Sequence, residues 1–425
     1  MRIAIVAQQG SPLTPAPDPH ADAQASAVTS LARTLARQGH RITVYARRDA
    51  HDLPDSAILA RGVTVEHLTA GPQTPLAGEK LIAHVREFSD QLAKRWSQKP
   101  PDIAHAHSWT SGLAALAAAR GTEVRVVQSF GSLAAAERRH GLDGADGAMR
   151  LRLEACIAKN ADAVLAGTTA EVAELVRMGI PRASITVVPP SVDTSRFCPD
   201  GPAAERAERP RLLAVAPLRA DQGLDRLVRV LAAVPGAELV IAGGPPKGQL
   251  RTSKVYKELM QLARKLQVQR RLSFTGRIRH ADLPALLRSA DLLISAAPYD
   301  PDGVVTIAAM ACGTPVAASA VGGNRDAILD ETTGLLVAPG RPELLARRVR
   351  GLLAAALRLE AFGIAAADRA AARYCTERIA RETMAVYERC LAPVAQAPGT
   401  ELQLPDPDEE LVAPAAEQGL AVALA

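Results

Sequence analysis

A chain of 425 residues is long for one hydrophobic core and ample for two, and 48% hydrophobic with 22% charged residues is the balance of a globular protein. The net charge of +5 comes from Arg residues interleaved with Asp and Glu, and only 3% of residues are aromatic; this argues against nucleic acid and is compatible with anionic small substrates or peripheral contact with an acidic membrane surface. No window approaches the run of about 18 apolar residues of a membrane span, residues 1–7 are too short a run for a signal peptide, and five scattered cysteines without a C-x-x-C pair indicate neither a disulfide framework nor zinc, so the expected location is the cytoplasm.

In chain order, residues 2–7 alternate into a first strand. Residues 8–24 form a loop stiffened by Pro12, Pro15, Pro17 and Pro19, in which Gly10 alone allows close approach of a ligand to the backbone. Val28, Leu31 and Leu35 recur at helical spacing over 26–38, and Gly39 ends that helix. Strands over 41–46, 63–68, 102–107, 124–129 and 161–166, with helices between, give the rhythm of a parallel doubly wound sheet and a first domain over 1–188. A polar, Pro-containing link covers 189–210.

The rhythm then restarts in a second domain over 211–374. Strands are expected at 212–216, 238–242, 272–275, 291–296 and 315–320, and helices at 223–233, 256–267, 282–288, 304–311 and 342–357. A last helix over 379–391, within a segment 375–392, is expected to return to the first domain, and the tail 393–425, rich in Pro, Ala and acidic residues, to be disordered. The fold class is α/β, with two Rossmann-like parallel-sheet domains facing across a cleft.

Residues 298–323 carry the chemistry of this pattern. Gly303 permits a tight turn into a helix, and the amides of Val304, Val305 and Thr306 then leave the helix N-terminus, where partial positive charge suits the phosphates of a nucleotide. Met310, Ala311, Gly313, Pro315 and Val316 fit an Ala-Met-Ala-x-Gly-x-Pro-Val pattern, and the stretch resembles the donor site of retaining family 4 glycosyltransferases with the GT-B fold. Residues 185–199, with Pro189, Val192, Asp193, Phe197 and Pro199, resemble the segment that crosses between domains in that family.

The resemblance implies transfer of a hexosyl group from a nucleotide-sugar, UDP-linked before GDP-linked, with retention, through an oxocarbenium-like transition state. It requires neither a metal nor another cofactor, and it leaves the acceptor open. It places Asp300 at the position of the first catalytic Glu, with Gly10, Gly243, Gly244, Arg277, Ile278, Gly303, Val304, Val305 and Thr306 on the donor side. His107, in a His-x-His-x-Trp segment, together with Arg138 and Arg150, falls on the acceptor side.

Several stations depart from the family pattern. Ala308 stands for the second Glu, Gly131 for a His near the reacting carbon, and Pro217 and Gln222 for the Arg and Lys that grip the diphosphate. Two such contacts at about 1.5–3 kcal/mol each amount to roughly 3–6 kcal/mol. The alternative reading is therefore a glycosyltransferase-like chain that is catalytically impaired and serves as partner or regulator of an active enzyme. An epimerase built on the same cleft lacks supporting residues. Asp300-Pro-Asp302 reads as turn chemistry rather than as an Asp-x-Asp metal motif, and His105 with His107 lacks a third zinc ligand.

Overall fold

The computed structural model describes residues 1–9, 11–13, 19–76, 78–142 and 147–392; Gly10, Pro15, Pro17 and the tail from 393 lie outside them. The first domain contributes β1 (Arg2–Ala7), β2 (Arg41–Arg47), β3 (Ser56–Ala60), β4 (Val63–Leu68), β5 (Ile103–His107), β6 (Arg125–Ser129), β7 (Ala163–Ala166) and β8 (Ile185–Val187). Their spatial order is β3-β4-β2-β1-β5-β6-β7-β8. Every pairing is parallel except β3 with β4. The order reverses beside β1, which puts the crevice of this sheet between β1 and β5.

The helices of this domain are α1 (Pro19–Arg37), α2 (Val85–Gln98), α3 (Trp109–Ala119), α4 (Ala134–Arg139), α5 (Gly147–Asn160) and α6 (Thr169–Arg177). They cover both faces of the sheet, so the central strands are apolar on both sides. Phe88, Leu92 and Trp96 of α2 pack with Leu113 of α3 and Ile157 of α5 on one face. Val28, Leu31 and Leu35 of α1 pack on the other.

The second domain contributes β9 (Arg211–Val215), β10 (Glu238–Ala242), β11 (Leu272–Gly276), β12 (Leu292–Ser295), β13 (Val316–Ser319) and β14 (Gly334–Val337). They form one parallel sheet ordered β11-β10-β9-β12-β13-β14. Its switch point lies between β9 and β12, beside the segment read from sequence as the donor site. The helices are α7 (Leu224–Ala233), α8 (Lys254–Lys265), α9 (Leu283–Arg288), α10 (Val304–Ala311), α11 (Gly322–Ala327), α12 (Pro342–Leu353), α13 (Ala356–Tyr374) and α14 (Thr376–Leu391). Helix α13 crosses closely over the end of α10, where a Cβ on Gly363 would lie 2.5 Å from the Gly313 carbonyl oxygen. Helix α14 packs against the first sheet, with Met384, Val386 and Tyr387 buried among residues of β1, β2 and α1.

Some bounds differ from the sequence reading. The first helix starts at Pro19 rather than at 26. The run expected as one helix over 342–357 breaks at Ala354, and α13 follows it. Strands β3, β8 and β14 have no counterpart in the sequence reading. No helix among the described residues is long and apolar enough to cross a membrane.

Candidate functional site

Three loops at the carboxyl edge of the second sheet are locked together by glycine. Gly303 caps α10 with φ +67°, and a Cβ there would sit 2.9 Å from the Gly323 carbonyl carbon. Gly223 has φ +65° and approaches the Ala296 carbonyl, joining the loop after β9 to the loop after β12. Gly243 (φ +124°) and Gly244 (φ +85°) turn against Ala216 and Leu218. L-residues resist these angles, so the shape of the cradle depends on these positions being glycine.

The helix start inside this cradle is not bare. Asp300 Oδ1 accepts from the Gly303 amide at 2.9 Å, and Asp302 Oδ1 accepts from the Val304 amide at 3.1 Å. The Val304 amide, expected to meet a phosphate, therefore already holds a carboxylate, and the site carries negative charge where the sequence reading expects a diphosphate. Val305 is half-buried, and Thr306 is buried with its hydroxyl donating to Asn324 Oδ1 at 2.5 Å. The Asp-Pro-Asp segment acts as turn chemistry, both carboxylates binding backbone.

The loop after β9 supplies no free cation. Pro217 and Gln222 stand half-buried, and Arg219 Nε donates to Asp221 Oδ1 at 3.1 Å. Gln222 Nε2 donates to the same carboxylate at 3.1 Å. Burial would raise the Asp221 pKa, but the Arg219 and Gln222 hydrogen bonds overcome it and hold the group below the usual carboxylate range. Arg277 is exposed, its amide bonded to the Pro245 carbonyl, and Ile278 packs against the core behind α10. Arg279 pairs with Asp282 at 2.7 Å. Ala308 is 4% exposed within that core, so its replacement by Glu would bury a charge rather than offer one to a ligand.

On the first domain, His105 Nδ1 meets the Tyr387 hydroxyl at 2.7 Å and His105 Nε2 meets Ser129 Oγ at 2.9 Å. Both nitrogens are thus satisfied in the core. His107 lies against it, ring centroids 4.1 Å apart, and its Nε2 is buried without a hydrogen-bond partner. Burial lowers the His107 pKa to about 4 and, with His107 alongside, pushes His105 well below its ordinary value, so both rings are neutral at pH 7. Sequence reasoning passed over Gln8: its side chain is 1% exposed, both amide atoms lack partners, and its backbone amide donates to Ser111 Oγ at 2.9 Å. Its position just past β1, at the switch point, was the available signal.

Arg138 projects into solvent. Arg150 does not: Nε donates to Glu154 at 2.7 Å, one terminal nitrogen to Glu137 at 2.8 Å, and the other to the Ser132 carbonyl at 3.0 Å. Its guanidinium is saturated within the domain, which makes it a brace for α4 and α5. Gly131 is exposed with φ +77°.

The two domains touch across the cleft. Thr169 donates to Asp326 through both its amide and its hydroxyl, each at 2.6 Å. His140 stacks on Tyr299 with centroids 5.0 Å apart and planes 22° apart. Tyr299, from the donor-side loop, also packs against the core of the first domain.

Residues 24–196 match the model of Glycosyltransferase Family 4, and residues 201–369 match Glycosyl transferases group 1. The D-inositol 3-phosphate glycosyltransferase of Kineococcus radiotolerans is 31% identical over 420 residues, covering 92% of this chain and 95% of its own. The chain belongs to the family 4 glycosyltransferases. The corresponding protein of Actinosynnema mirum is 31% identical over 80% of this chain and 86% of its own. Among solved structures, sucrose-phosphate synthase from Thermosynechococcus elongatus superposes with TM-score 0.82 at 26% identity, over 91% of this chain and 98% of that one. Anabaena HepE, solved with UDP, shares the fold with TM-score 0.70 at 19% identity, over 92% and 100% of the two chains. The arrangement is that of a GT-B glycosyltransferase.

Proposed function

We propose that this glycosyltransferase moves a hexosyl group, with retention, from a UDP-linked sugar held against the α10 N-terminus to a small-molecule, glycan or lipid acceptor on the first domain. The observation that carries this reading is the glycine-built cradle at the switch point, in which Gly303, Gly223, Gly243 and Gly244 bring three loop backbones to one edge. A nucleotide would place its phosphates beside Val305 and Thr306, with the Gly243-Gly244 turn and Arg277-Ile278 toward base and ribose. Asp300, fixed by the Gly303 amide, would face the sugar. Neutral His107 and Gln8 offer unused hydrogen-bonding atoms on the acceptor side. D-Inositol 3-phosphate is the first acceptor to try, since the relatives named for it align over nearly the whole chain.

A second reading has its own observation. With Asp300 and Asp302 seated on the helix amides and Pro217 and Gln222 in place of cations, little offsets the charge that grows on a departing diphosphate. On this reading the chain binds nucleotide-sugar weakly and acts as the partner of an active enzyme. The two separate by titration calorimetry with UDP, GDP and ADP, followed by assay of UDP-glucose turnover with and without D-inositol 3-phosphate. Turnover with a retained anomeric configuration supports transfer; micromolar UDP binding without turnover supports the partner role.

A further inference from the structure

The start of α6 carries a carboxyl group that the transfer reaction does not use. Thr168 Oγ1 accepts from the Glu171 amide at 3.1 Å, and Glu171 Oε2 accepts from the Gly167 amide at 2.7 Å, a reciprocal cap. The other oxygen, Oε1, is sealed from solvent and has no hydrogen-bond partner. Two residues earlier, Thr169 grips Asp326 of the second domain, and the charge of Asp302, on the donor-side loop, acts on Glu171 across the same closure.

We propose that Glu171 is a proton-operated latch: the two domains close on its neutral carboxyl group, and its ionisation opens the cleft. The geometry supplies the reason. An ionised Glu171 would hold a charge out of water with one oxygen unsatisfied and a like charge opposite it. The surrounding groups do not relieve it. On α5, Arg150 is engaged by Glu154 and Glu137; on α4, Arg139 pairs with Glu174 at 2.9 Å, Arg138 points to solvent and His140 stacks on Tyr299. On α11, Arg325 is exposed and Asp326 is held by Thr169; farther along α6, Arg177 pairs with Glu174. Burial, countered in part by the Gly167 amide and reinforced by Glu154 and Asp302, moves the Glu171 carboxyl up to about 7 in the closed form.

Were the cleft to open and water to reach it, the same group would titrate nearer the ordinary carboxyl value of 4.5. Closure therefore takes up a proton between these values. The closed form is favoured most below about pH 4.5 and loses ground as pH rises toward 7, by some tens of fold in the closed-to-open ratio between pH 5 and 8.

Small-angle scattering on the ligand-free full chain from pH 5 to 8.5 tests this without any sugar substrate, so its outcome is independent of the transfer reading. The radius of gyration of the wild type should rise with pH. Glu171→Gln, which still accepts from the Gly167 amide, should stay compact throughout. Asp302→Asn, which removes the opposing charge, should keep the cleft closed to higher pH, and His140→Phe, which removes the imidazole but keeps a ring on Tyr299, should follow the wild type. A wild-type radius that does not change with pH, a Glu171→Gln profile that tracks the wild type, or loss of the transition in His140→Phe overturns the proposal. If Glu171→Gln proves unfolded by circular dichroism, the Asp302→Asn shift decides: a profile unmoved from the wild type overturns it.

Discussion

Asp302 sets the charge at the mouth of the donor side, and one atom's change isolates it. Asn keeps the Oδ1 acceptor that holds the Val304 amide at 3.1 Å, so the helix cap survives while a negative charge leaves the end of the helix that favours anions. Asp302→Asn should tighten UDP binding by roughly tenfold at low ionic strength, and the gain should shrink in high salt. Calorimetry at two salt concentrations checks both the size and the screening. His107 makes a second prediction, about stability. Its pKa is near 4 folded and 6.5 unfolded, so between those values the unfolded chain binds a proton that the folded chain refuses, and stability falls as pH drops. The loss from pH 7 to pH 5 should be about 2 kcal/mol. Because His105 and Glu171 also shift on folding in both proteins, urea unfolding at the two pH values should show it as the difference between the wild type and His107→Gln.

At the level of elements, glycines with similar angles separate backbone cost from packing cost. Gly131 (φ +77°) has nothing within 4 Å of an added Cβ, whereas Gly303 (φ +67°) has the Gly323 backbone at 2.9 Å. Gly131→Ala should cost about 1 kcal/mol, and Gly303→Ala about 2–4 kcal/mol with weaker nucleotide binding, because the 322–323 turn must shift. Denaturant midpoints of the two variants check the difference. The same elements mark how far sequence alone reaches. Parallel strands such as β5, β7 and β12 are covered on both faces and read as short apolar runs, so the two-domain α/β fold is legible. Strand β3 is half-exposed, with Ile58 82% accessible, and leaves no such run. Helix α13 is so rich in Ala that its buried stripe of Phe362, Ala366, Ala370 and Tyr374 carries little contrast. Asp300-Pro-Asp302 was legible as a turn, but not that both carboxylates would occupy the helix amides. Thr169 with Asp326 and His140 with Tyr299 join parts of the chain that no local pattern connects, so the closure contacts had no signal in the sequence.

For the whole molecule, the question is whether an intact cradle becomes a strong diphosphate site once its cations return. Pro217 and Gln222 are half-buried beside the switch point, where long basic side chains can extend into the cleft. Pro217 also carries no amide to lose, and its carbonyl already accepts from the Arg219 amide at 2.9 Å, so an Arg there leaves that turn in place. Pro217→Arg with Gln222→Lys should therefore strengthen UDP binding on the order of a hundredfold, from two charge-assisted contacts of about 1.5–3 kcal/mol less the repulsion screened away. Ala308→Glu differs, because it sets a carboxylate in a packed core beside Ile307, Met310 and Val316. Adding it should cost several kcal/mol of stability unless the ligand or a neighbour neutralises it. Calorimetry and urea unfolding of wild type, double and triple variants distinguish these outcomes. Tight binding and turnover in the double variant would show that loss of two cations had silenced an otherwise competent site. Rapid transfer by the wild type would instead show that Asp300 and the helix amides suffice, and the partner reading would fall.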